Sequence, residues 1–534
     1  MNVLLIRPPV YSRSIRYPEG PRFGLPVGLL YLAAALEAAG CKVALYDALT
    51  DFNFRTLQKN SDGSFHIGAA WDRISASVAA QKPDVVGISN PFSDFAQQTI
   101  TTARSVRSVL PDTVPIVVGG PHASSSPADF LAPETGIDCV LRGEAELSIV
   151  ELVRAIADGK NWRDVSGASW RDANGLHHTE QAAFIEDLDT LPFPAYHLVD
   201  VEHTFNLVRA GFPSRYTFDY PESEREVSLV TSRGCPFRCV FCGNHLHMGR
   251  RWRSHSADYV LRHMQLLISN YDVRHFHLED DNITLNTARF EKILDGLLQR
   301  QWRITWDTPN GVRAEGLDEP LLRKAKASGC TYLTIGVESG NQRVLNEIIH
   351  KNLDLIRIRK TAQSCGRVGL DLHAFYVIGF PGEMRQDIEE TFEFALDLLK
   401  HHFVIPHLCM ARPLPGTELQ EICEKNGFLT EPLLPNTGSG LRGEVFIRRM
   451  IKTDQFSPAL LEKWIAIFNR SVVRIILCKS VVWLCRHPIV AACITGRFIK
   501  MLLTTGVAPA IKRIFYGGLL FRGNYLRKKR SYGL

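Results

Sequence analysis

Three cysteines lie close together near the middle of the chain, in the segment SRGCPFRCVFCGNH. Cys235, Cys239 and Cys242 have the spacing C-x3-C-x2-C and directly follow a predicted strand. Three thiolates on one tight loop can ligate three irons of a [4Fe–4S] cluster, which leaves the fourth iron open to bind and reduce a substrate. The alternative is a zinc knuckle with His245 or His247 as fourth ligand, because zinc usually takes four ligands. The surrounding chain favours the cluster.

This loop resembles the signature of the radical S-adenosylmethionine (SAM) superfamily, and the aromatic Phe241 just before the last cysteine strengthens the match. The resemblance covers about residues 226–430. It implies that the open iron chelates the amino and carboxylate groups of SAM. One electron from the cluster would then cleave SAM to a 5′-deoxyadenosyl radical, which abstracts a hydrogen atom from the substrate.

Two further strand ends resemble segments that bind SAM in this family. The segment HLEDDNIT ends a predicted strand in an acidic run that includes Glu279 and Asp281, at the end of a strand where barrel site residues belong. The alternative for these acids is capping of the helix that follows. In TIGVESGNQRVL, the resemblance implies that Glu338 accepts hydrogen bonds from the ribose or amino group of SAM.

Arg313 and two glycines complete the SAM-binding candidates. Arg313, in NGVRAEGLD, is a candidate partner of the SAM carboxylate, because a guanidinium can grip a carboxylate through two hydrogen bonds. A surface ion pair is the alternative for this arginine. The segment VIGFPGE resembles the adenine loop of the family, in which Gly379 and Gly382 would let the backbone approach a flat ring. No catalytic acid or base is assigned.

The amino-terminal part alternates strands with helices of ten to fifteen residues, which predicts βαβ units, a parallel sheet and a ligand site at the carboxyl ends of its strands. The order of elements resembles the cobalamin-binding domain that precedes the barrel in one branch of the superfamily. Ser89 and the pair Gly119-Gly120 have the spacing of that domain's S-x-L and GG segments. The resemblance implies that these three residues contact cobalamin.

One position departs from the corrinoid signature. Where D-x-H-x-x-G is expected, the chain reads Asp47-Ala-Leu49, so leucine replaces the histidine that would ligate cobalt from below. Any cobalamin is therefore expected to bind with its base detached and without a protein histidine on cobalt. His122, in GGPHAS, is interpreted as a contact to the corrin tail and not as a cobalt ligand. Some relatives keep the domain without the cofactor.

The predicted fold class is α/β. A doubly wound, Rossmann-like domain of the B12-binding type is expected over residues 1–160, followed by a connector over 161–225. Six further strand–helix units predict a partial (β/α)6 radical SAM barrel over 226–430. A basic, helical carboxyl-terminal region would complete the chain over 431–534.

The carboxyl-terminal region concentrates positive charge. Fourteen Lys and Arg and no Asp or Glu lie between Lys463 and Leu534. Because the whole chain has a net charge of +6, residues 1–462 have a net charge of 6 − 14 = −8. With its apolar residues, this pattern suits a helix in an anionic membrane interface, or else a subdomain packed on the barrel. Nucleic acid is disfavoured, because exposed aliphatic residues gain nothing from phosphates. The thin spread of cysteines and the start without a secretory signal predict a cytoplasmic protein, and the basic region adds the alternative of a peripheral position on the inner face of the membrane.

The resemblance as a whole implies a cobalamin-dependent methyltransferase that acts on an unactivated carbon of a small molecule such as a lipid, pigment or natural-product intermediate. A flavodoxin or ferredoxin would supply electrons. A radical cyclase, oxidoreductase or carbon–carbon coupling enzyme with the same cofactors is the alternative. A tRNA methylthiotransferase would have three further amino-terminal cysteines, whereas only Cys41 and Cys139 precede the triplet. A corrinoid or zinc carrier without enzymatic activity is disfavoured by the complete barrel.

Overall fold

The computed structural model describes residues 1–12, 22–52, 57, 60, 63–212, 214, 223–430 and 450–486. Two mainly parallel sheets dominate it, one in each half of the chain. The sheets follow one another in sequence with no exchange of strands.

The first half forms a seven-stranded sheet covered by helices. Its interior strands, such as VVGIS, are continuous apolar runs, which is typical of parallel strands that are buried on both faces. The described residues of this half form nine strands, of which seven belong to the sheet and two form a separate hairpin. They are β1 (Asn2–Arg7), β2 (Val10–Ser12), β3 (Lys42–Asp47), β4 (Phe65–Ile67), β5 (Val85–Ser89), β6 (Ile116–Gly119), β7 (Cys139–Leu141), β8 (Ala168–Asp172) and β9 (Gly175–His178). The helices are α1 (Val27–Ala38), α2 (Trp71–Gln81), α3 (Ala96–Arg107), α4 (Pro121–Ser125) and α5 (Glu146–Ala157).

The strand order of this sheet is β3-β1-β5-β6-β7-β8-β9, and β2 pairs with β4 in a separate hairpin. The first five strands are parallel, which confirms the predicted doubly wound domain. Beyond residue 160 the structure differs from the predicted connector, because β8 and β9 extend the sheet as an antiparallel hairpin. The turn between them is tight: Asp172 accepts a hydrogen bond from the amide of Asn174 at 2.8 Å. A helix, α6 (Val201–Arg209), also lies in the predicted connector.

The second half forms a six-stranded, all-parallel sheet in the order β10-β13-β14-β15-β16-β17, which confirms the predicted partial barrel. Its strands are β10 (Glu226–Leu229), β13 (His275–Leu278), β14 (Thr305–Val312), β15 (Cys330–Glu338), β16 (Asp371–Ile378) and β17 (Ile405–Met410), and a small ribbon adds β11 (Ser232–Arg233) and β12 (Arg253–Ser254). The helices are α7 (Asn244–Met248), α8 (Ala257–Tyr271), α9 (Thr287–Arg300), α10 (Glu319–Ala327), α11 (Leu355–Val368), α12 (Arg385–His402) and α13 (Glu418–Lys425).

A long last helix, α14 (Pro458–Arg486), begins the basic carboxyl-terminal region. Leu461, Phe468 and Ile476 are buried against the barrel, and the rings of Phe392 and Phe468 lie 4.9 Å apart. The region is therefore packed on the barrel at least as far as Ile476. Residues 487–534, which carry most of the predicted membrane-binding surface, lie outside the described residues. No helix in the described part of the chain is both long and apolar enough to cross a bilayer.

Candidate active site

A cavity of about 1040 Å³ lies between the carboxyl ends of the two sheets. On one side it is lined by the residues that follow β1, β5, β6 and β7, and on the other by those that follow β10, β13, β14 and β15. Ligand sites of open parallel sheets and of barrels form at these strand ends, because the loops there converge. Both predicted cofactor sites thus open into one chamber.

The cysteine loop lies at the floor of this chamber. Cys235, Cys239 and Cys242 are half-buried, free of disulfides, and all line the cavity. Gly234 before them has φ +80, and a Cβ there would lie 2.3 Å from the carbonyl oxygen of Arg251. Only glycine fits this turn, and the turn directs the loop into the chamber.

The spacing of the three thiols separates the two interpretations of the loop. Among the described residues, the one group of three His, Cys, Asp or Glu side chains whose ligand atoms all lie within 4.8 Å of one another is elsewhere in the barrel. The three sulfurs of the loop therefore do not all lie within 4.8 Å of one another, a spacing that suits the iron–sulfur cube better than a single zinc ion. Burial raises the pKa of the Cys242 thiol to about 11, and a bound metal ion would stabilise its thiolate.

Glu338, at the end of β15, lies in the chamber together with a lysine that the sequence did not indicate. Lys351 Nζ donates a hydrogen bond to Glu338 Oε1 at 2.6 Å, and both side chains line the cavity. Glu338 has φ +69, a left-handed conformation that is unusual for glutamate and common at functional sites. A Cβ on Gly336 would lie 2.6 Å from Lys351 Nζ, so this glycine makes room for the ion pair.

Arg313 also lines the cavity, but it does not point a free guanidinium into it. It forms an ion pair with Glu315 at 2.5 Å and lies over the ring of Phe237, 3.7 Å from its centre. It further donates to the carbonyl oxygen of Lys351 at 3.1 Å. The ion pair that sequence reasoning kept open exists, and it lies against the cysteine loop.

The acidic run after β13 divides into two roles. Glu279 and Asp281 line the cavity, and burial raises the pKa of Asp281 to about 6. Asp280 instead points inward and accepts hydrogen bonds from Thr231 that support the base of the cysteine loop. The capping alternative is wrong, because helix α9 is capped by Asn286.

The two glycines of the predicted adenine loop do not line this cavity. The amide of Gly379 donates to Glu383 Oε2 at 2.7 Å, and a Cβ on Gly379 would lie 2.6 Å from Leu461 of α14. Gly382 has φ +89 and faces Ile348. Helix α14 packs against the loop at Gly379, and the adenine contact stays a prediction.

On the amino-terminal side, Ser89, Gly119, Gly120 and Leu49 all line the cavity. Gly120 has φ +120, and a Cβ there would lie 2.2 Å from the carbonyl oxygen of Asn90, so the loops after β5 and β6 meet closely. A Cβ on Gly119 would meet nothing nearer than 3.6 Å. This wall has small and apolar residues and space in front of the backbone, which fits a large flat ring such as a corrin.

His122 lies apart from this wall. Its side chain is buried, with Nδ1 3.0 Å from Ser93 Oγ and Nε2 3.2 Å from Asp129, and it is not among the residues that line the cavity. The placement agrees with the expectation that it does not ligate cobalt. It gives no support to a direct contact with the corrin.

A buried ion-pair network joins the two halves beside the cysteine loop. Arg233 contacts Glu146 at 2.6 Å, and Arg253 contacts Glu144 at 2.7 Å, with all four side chains at most 7% exposed. Burial by itself would raise the pKa of Glu146, but the adjacent Arg233 outweighs it and holds the pKa below its usual range. The segment Arg-Gly-Glu-Ala-Glu at 142–146 therefore clamps the amino-terminal sheet to the β11–β12 ribbon, next to Cys235.

Comparisons with known proteins agree with both halves. Residues 21–153 match the model of the B12 binding domain, and residues 229–395 match that of the radical SAM superfamily. An uncharacterized methyltransferase of Pyrococcus horikoshii is 30% identical over 432 residues, which span 80% of this chain and 84% of that protein. The chain belongs to the cobalamin-dependent radical SAM methyltransferase family.

Other known proteins are similar to this chain over most of its length. The cytidylyl-2-hydroxyethylphosphonate methyltransferase of Streptomyces wedmorensis is 29% identical over 80% of this chain and 82% of its own length. An anaerobic magnesium-protoporphyrin IX monomethyl ester cyclase of Rubrivivax gelatinosus is 26% identical over 85% of this chain and 77% of its own. The radical SAM methyltransferase TsrM of Kitasatospora setae, solved with cobalamin and a [4Fe–4S] cluster, shares the fold with a TM-score of 0.62 at 19% identity, over 86% of this chain and 84% of that one.

As a family member, the enzyme uses a [4Fe–4S] cluster, SAM and cobalamin. The described residues of the chamber fit this set, because three spaced thiols line it on the barrel side and no described histidine lines it on the side of the other sheet. His247, which also lines the chamber from α7, is kept neutral, because burial lowers its pKa to about 4.

Proposed function

We propose that this methyltransferase transfers a methyl group to an unactivated carbon of a small, largely apolar molecule, of the lipid, pigment or natural-product class, inside the chamber between the two sheets. The observation that carries the proposal is the single cavity lined by both the cysteine loop and the glycine wall. One chamber allows both cofactors to reach the same substrate, which radical methylation requires.

The residue assignments form part of this proposal. Cys235, Cys239 and Cys242 would hold the cluster, with the wall of Ser89, Gly119, Gly120 and Leu49 against the corrin. The SAM pocket would be formed by Glu338, Lys351, Arg313, Glu279 and Asp281. When bound, the cluster and SAM supply the chemistry that removes a hydrogen atom, and cobalamin supplies the methyl group.

The charges of the chamber support an apolar substrate. Arg7, Arg233 and Lys351 line the cavity, and each is already paired with a carboxylate at 2.5 to 2.6 Å. A phosphate that bound to one of these three cations would have to break a buried pair, and that is costly because it leaves a carboxylate unpaired. The ion pairs of these side chains thus leave little uncompensated charge at these three positions of the chamber.

Product analysis tests the proposal. The anaerobically reconstituted enzyme is incubated with a chemical reductant, SAM that carries a deuterated methyl group, and separate organic and aqueous extracts of cells that lack the enzyme. We expect a deuterated methyl group on carbon in a product of the organic extract, together with S-adenosylhomocysteine and 5′-deoxyadenosine. The Cys239→Ala variant is the control and forms no product. Label that appears only in an aqueous, anionic product would overturn the substrate class.

A radical cyclase is the second candidate, and the similarity to an anaerobic cyclase over 85% of the chain favours keeping it. The same experiment separates the two. A cyclase forms 5′-deoxyadenosine and an altered product without any transfer of labelled methyl, whereas a methyltransferase also releases S-adenosylhomocysteine.

Two partners complete the proposal. A flavodoxin or ferredoxin would deliver electrons to the cluster, and the carboxyl-terminal region beyond α14 would bind an anionic membrane surface. Residues 487–534 carry nine Lys and Arg and no acid, and each basic side chain near such a surface contributes about 1 kcal/mol. The full chain should float with anionic vesicles at low salt, and a chain ending near residue 486 should not. If both forms stay in the unbound fraction, the membrane surface and the preference for lipid lose their support.

A further inference from the structure

A second group of possible metal ligands lies inside the barrel, below the chamber. His275 and His277 stand on β13, and Asp307 stands on the neighbouring strand β14, directly opposite His277. His275 is 1% exposed and the other two are 2% exposed, and none of the three lines the cavity. Their potential ligand atoms all lie within 4.8 Å of one another, which holds for no other such group in the described residues.

One nitrogen of each imidazole faces the same carboxylate. His275 Nε2 lies 3.0 Å from Asp307 Oδ2, and His277 Nδ1 lies 2.9 Å from Oδ1 and 3.1 Å from Oδ2. A neutral imidazole carries one proton, so each ring can donate through one nitrogen only. Which nitrogen carries that proton is decided by what the opposite nitrogen contacts.

The opposite nitrogens face oxygens outside the group, at hydrogen-bond distance for His275 and at a longer ion-pair distance for His277. His275 Nδ1 lies 2.7 Å from Thr305 Oγ1, and His277 Nε2 lies 3.5 Å from Glu226 Oε2. Glu226 is itself oriented by a hydrogen bond from Ser214 Oγ to its other carboxylate oxygen. Imidazoles that ligate a metal almost always donate their other N–H to such an oxygen, which fixes the ring and raises the basicity of the ligating nitrogen.

The charge balance of this group depends on where the imidazole protons lie. With the ring protons toward Asp307, the carboxylate accepts from both rings and the Thr305 hydroxyl donates to His275 Nδ1. With the ring protons directed outward, the ring lone pairs and the Asp307 oxygens face each other at about 3 Å and repel unless a cation lies between them. Two carboxylates, Asp307 and Glu226, are buried in the same place, and buried charges require compensation. Ring protons directed at Asp307 provide it through hydrogen bonds, and one divalent cation among the three side chains provides it through charge.

We propose that His275 Nε2, His277 Nδ1 and the carboxylate of Asp307 bind one Zn²⁺ ion. Zinc prefers imidazole and carboxylate ligands at ~2.0–2.2 Å, and the two oxygens of Asp307 can complete four-coordination. The ion links two neighbouring strands beneath the chamber. It has a structural role, because no ligand reaches the cavity, and it is independent of the cysteine loop and of the reaction.

The same barrel contains a pair of histidines for comparison. His373 Nδ1 lies 2.9 Å from His407 Nε2 on the next strand, and both rings are enclosed within the barrel. This pair belongs to no group of three ligands within 4.8 Å in the part of the chain that the structure describes. A substitution here disturbs a buried imidazole contact without removing a proposed zinc ligand.

Metal analysis of the untagged, reconstituted holoenzyme tests the proposal. We expect about one zinc per chain besides the cluster iron, and a zinc absorption-edge spectrum with nitrogen and oxygen at ~2.0–2.1 Å and no sulfur near ~2.3 Å. His277→Gln should lose the zinc and keep the iron, and His407→Gln should keep both. Because the spectrum is measured on the wild-type holoenzyme, it decides the matter even if a variant fails to fold.

Two results overturn the proposal. Absence of zinc above background would mean that the imidazoles hold protons in place of a metal ion. Zinc with a sulfur shell would mean that the ion sits in the cysteine loop. Neither result bears on methyl transfer, which is followed separately by product analysis, so failure here is distinguishable from failure of the proposed function.

Discussion

The two walls of the chamber are built in different ways. The barrel wall presents reactive or charged side chains, and each is fixed by its own support: the turn at Gly234 directs Cys235, and Lys351 holds Glu338 at 2.6 Å. The opposite wall presents Gly119 and Leu49, which have no group that could ligate a metal. Iron needs side-chain ligands in defined positions, whereas a large ring can be held by shape and by the close approach of backbone. Substitutions should therefore act by lost chemistry on the barrel wall and by lost space on the other.

The largest effect is expected on the barrel wall. Cys235→Ala, Cys239→Ala or Cys242→Ala should each lower the rate of 5′-deoxyadenosine formation by more than about 100-fold, because even the outer partners of metal ligands are worth about 10–100-fold. Cys330→Ala is the matched control, since this buried thiol lies in β15 and does not line the chamber. High-performance liquid chromatography of the quenched reaction measures the rate. Wild-type SAM cleavage by any of the three variants after reconstitution would refute the cluster assignment.

Lys351→Met should rank second. It leaves Glu338 buried without its cation, so we expect the Michaelis constant for SAM to rise about 10-fold or more, which corresponds to about 1.4 kcal/mol. Lys324→Met, which removes a surface ion pair on α10, is the control and should leave this constant unchanged. Steady-state kinetics with varied SAM provides the measurement. An unchanged constant would place Lys351 outside the SAM pocket.

The buried ion pairs between Arg233 and Glu146 and between Arg253 and Glu144, which link the two walls, allow a test of stability. Glu146→Gln removes one charge of a buried pair and should lower the free energy of unfolding by about 3–5 kcal/mol, measured by urea denaturation. Glu151→Gln, on the exposed side of the same helix, should change it by less than about 0.5 kcal/mol.

The pH dependence of this effect has a defined sign. The folded pKa of Glu146 lies below its usual value, so its stabilising contribution is present above about pH 4.3 and is lost as the pH falls through the folded pKa. The variant should lack this part of the acid slope. Parallel slopes for wild type and variant would contradict the assignment.

The sequence could predict features that depend on local spacing, but not those that depend on contacts between distant segments. Cys239, Ser89 and Gly119, which were predicted from local spacing, all line the chamber, and their contacts with cofactors stay predictions. Lys351 was missed because its partner Glu338 is thirteen residues away, with the helical segment Val344–Ile348 between them. The pairing of His277 with Asp307 depends on the register of two strands, which no local pattern encodes. The contact of Gly379 with α14, a segment distant in sequence, is likewise not encoded by any local pattern.

On the glycine wall, Gly119→Leu should fill space without breaking the fold, because a Cβ there meets nothing nearer than 3.6 Å. We expect cobalamin affinity to fall at least about 10-fold, or about 1.4 kcal/mol, with unchanged iron content. Gly366→Leu, at an exposed helical glycine away from the chamber, should leave both unchanged. Equilibrium dialysis with cobalamin and iron analysis provide the two readouts. Equal affinity in wild type and Gly119→Leu would remove this wall from the corrin site.

The smallest effect is expected at His122. This position tests most directly whether the amino-terminal wall binds cobalamin by shape and not through a side-chain ligand. If the wall acts by shape, the electron paramagnetic resonance spectrum of the Co(II) form shows no splitting from a protein nitrogen, and His122→Ala leaves that spectrum unchanged. The physical reason is that both nitrogens of His122 face Ser93 and Asp129 inside the domain, whereas Leu49 stands on the wall itself. Leu49→His is the matched positive variant: an imidazole at this position should introduce the nitrogen splitting. A splitting in the wild type that disappears in His122→Ala would mean that the imidazole leaves its pocket to ligate cobalt, and that this wall also binds through side-chain chemistry.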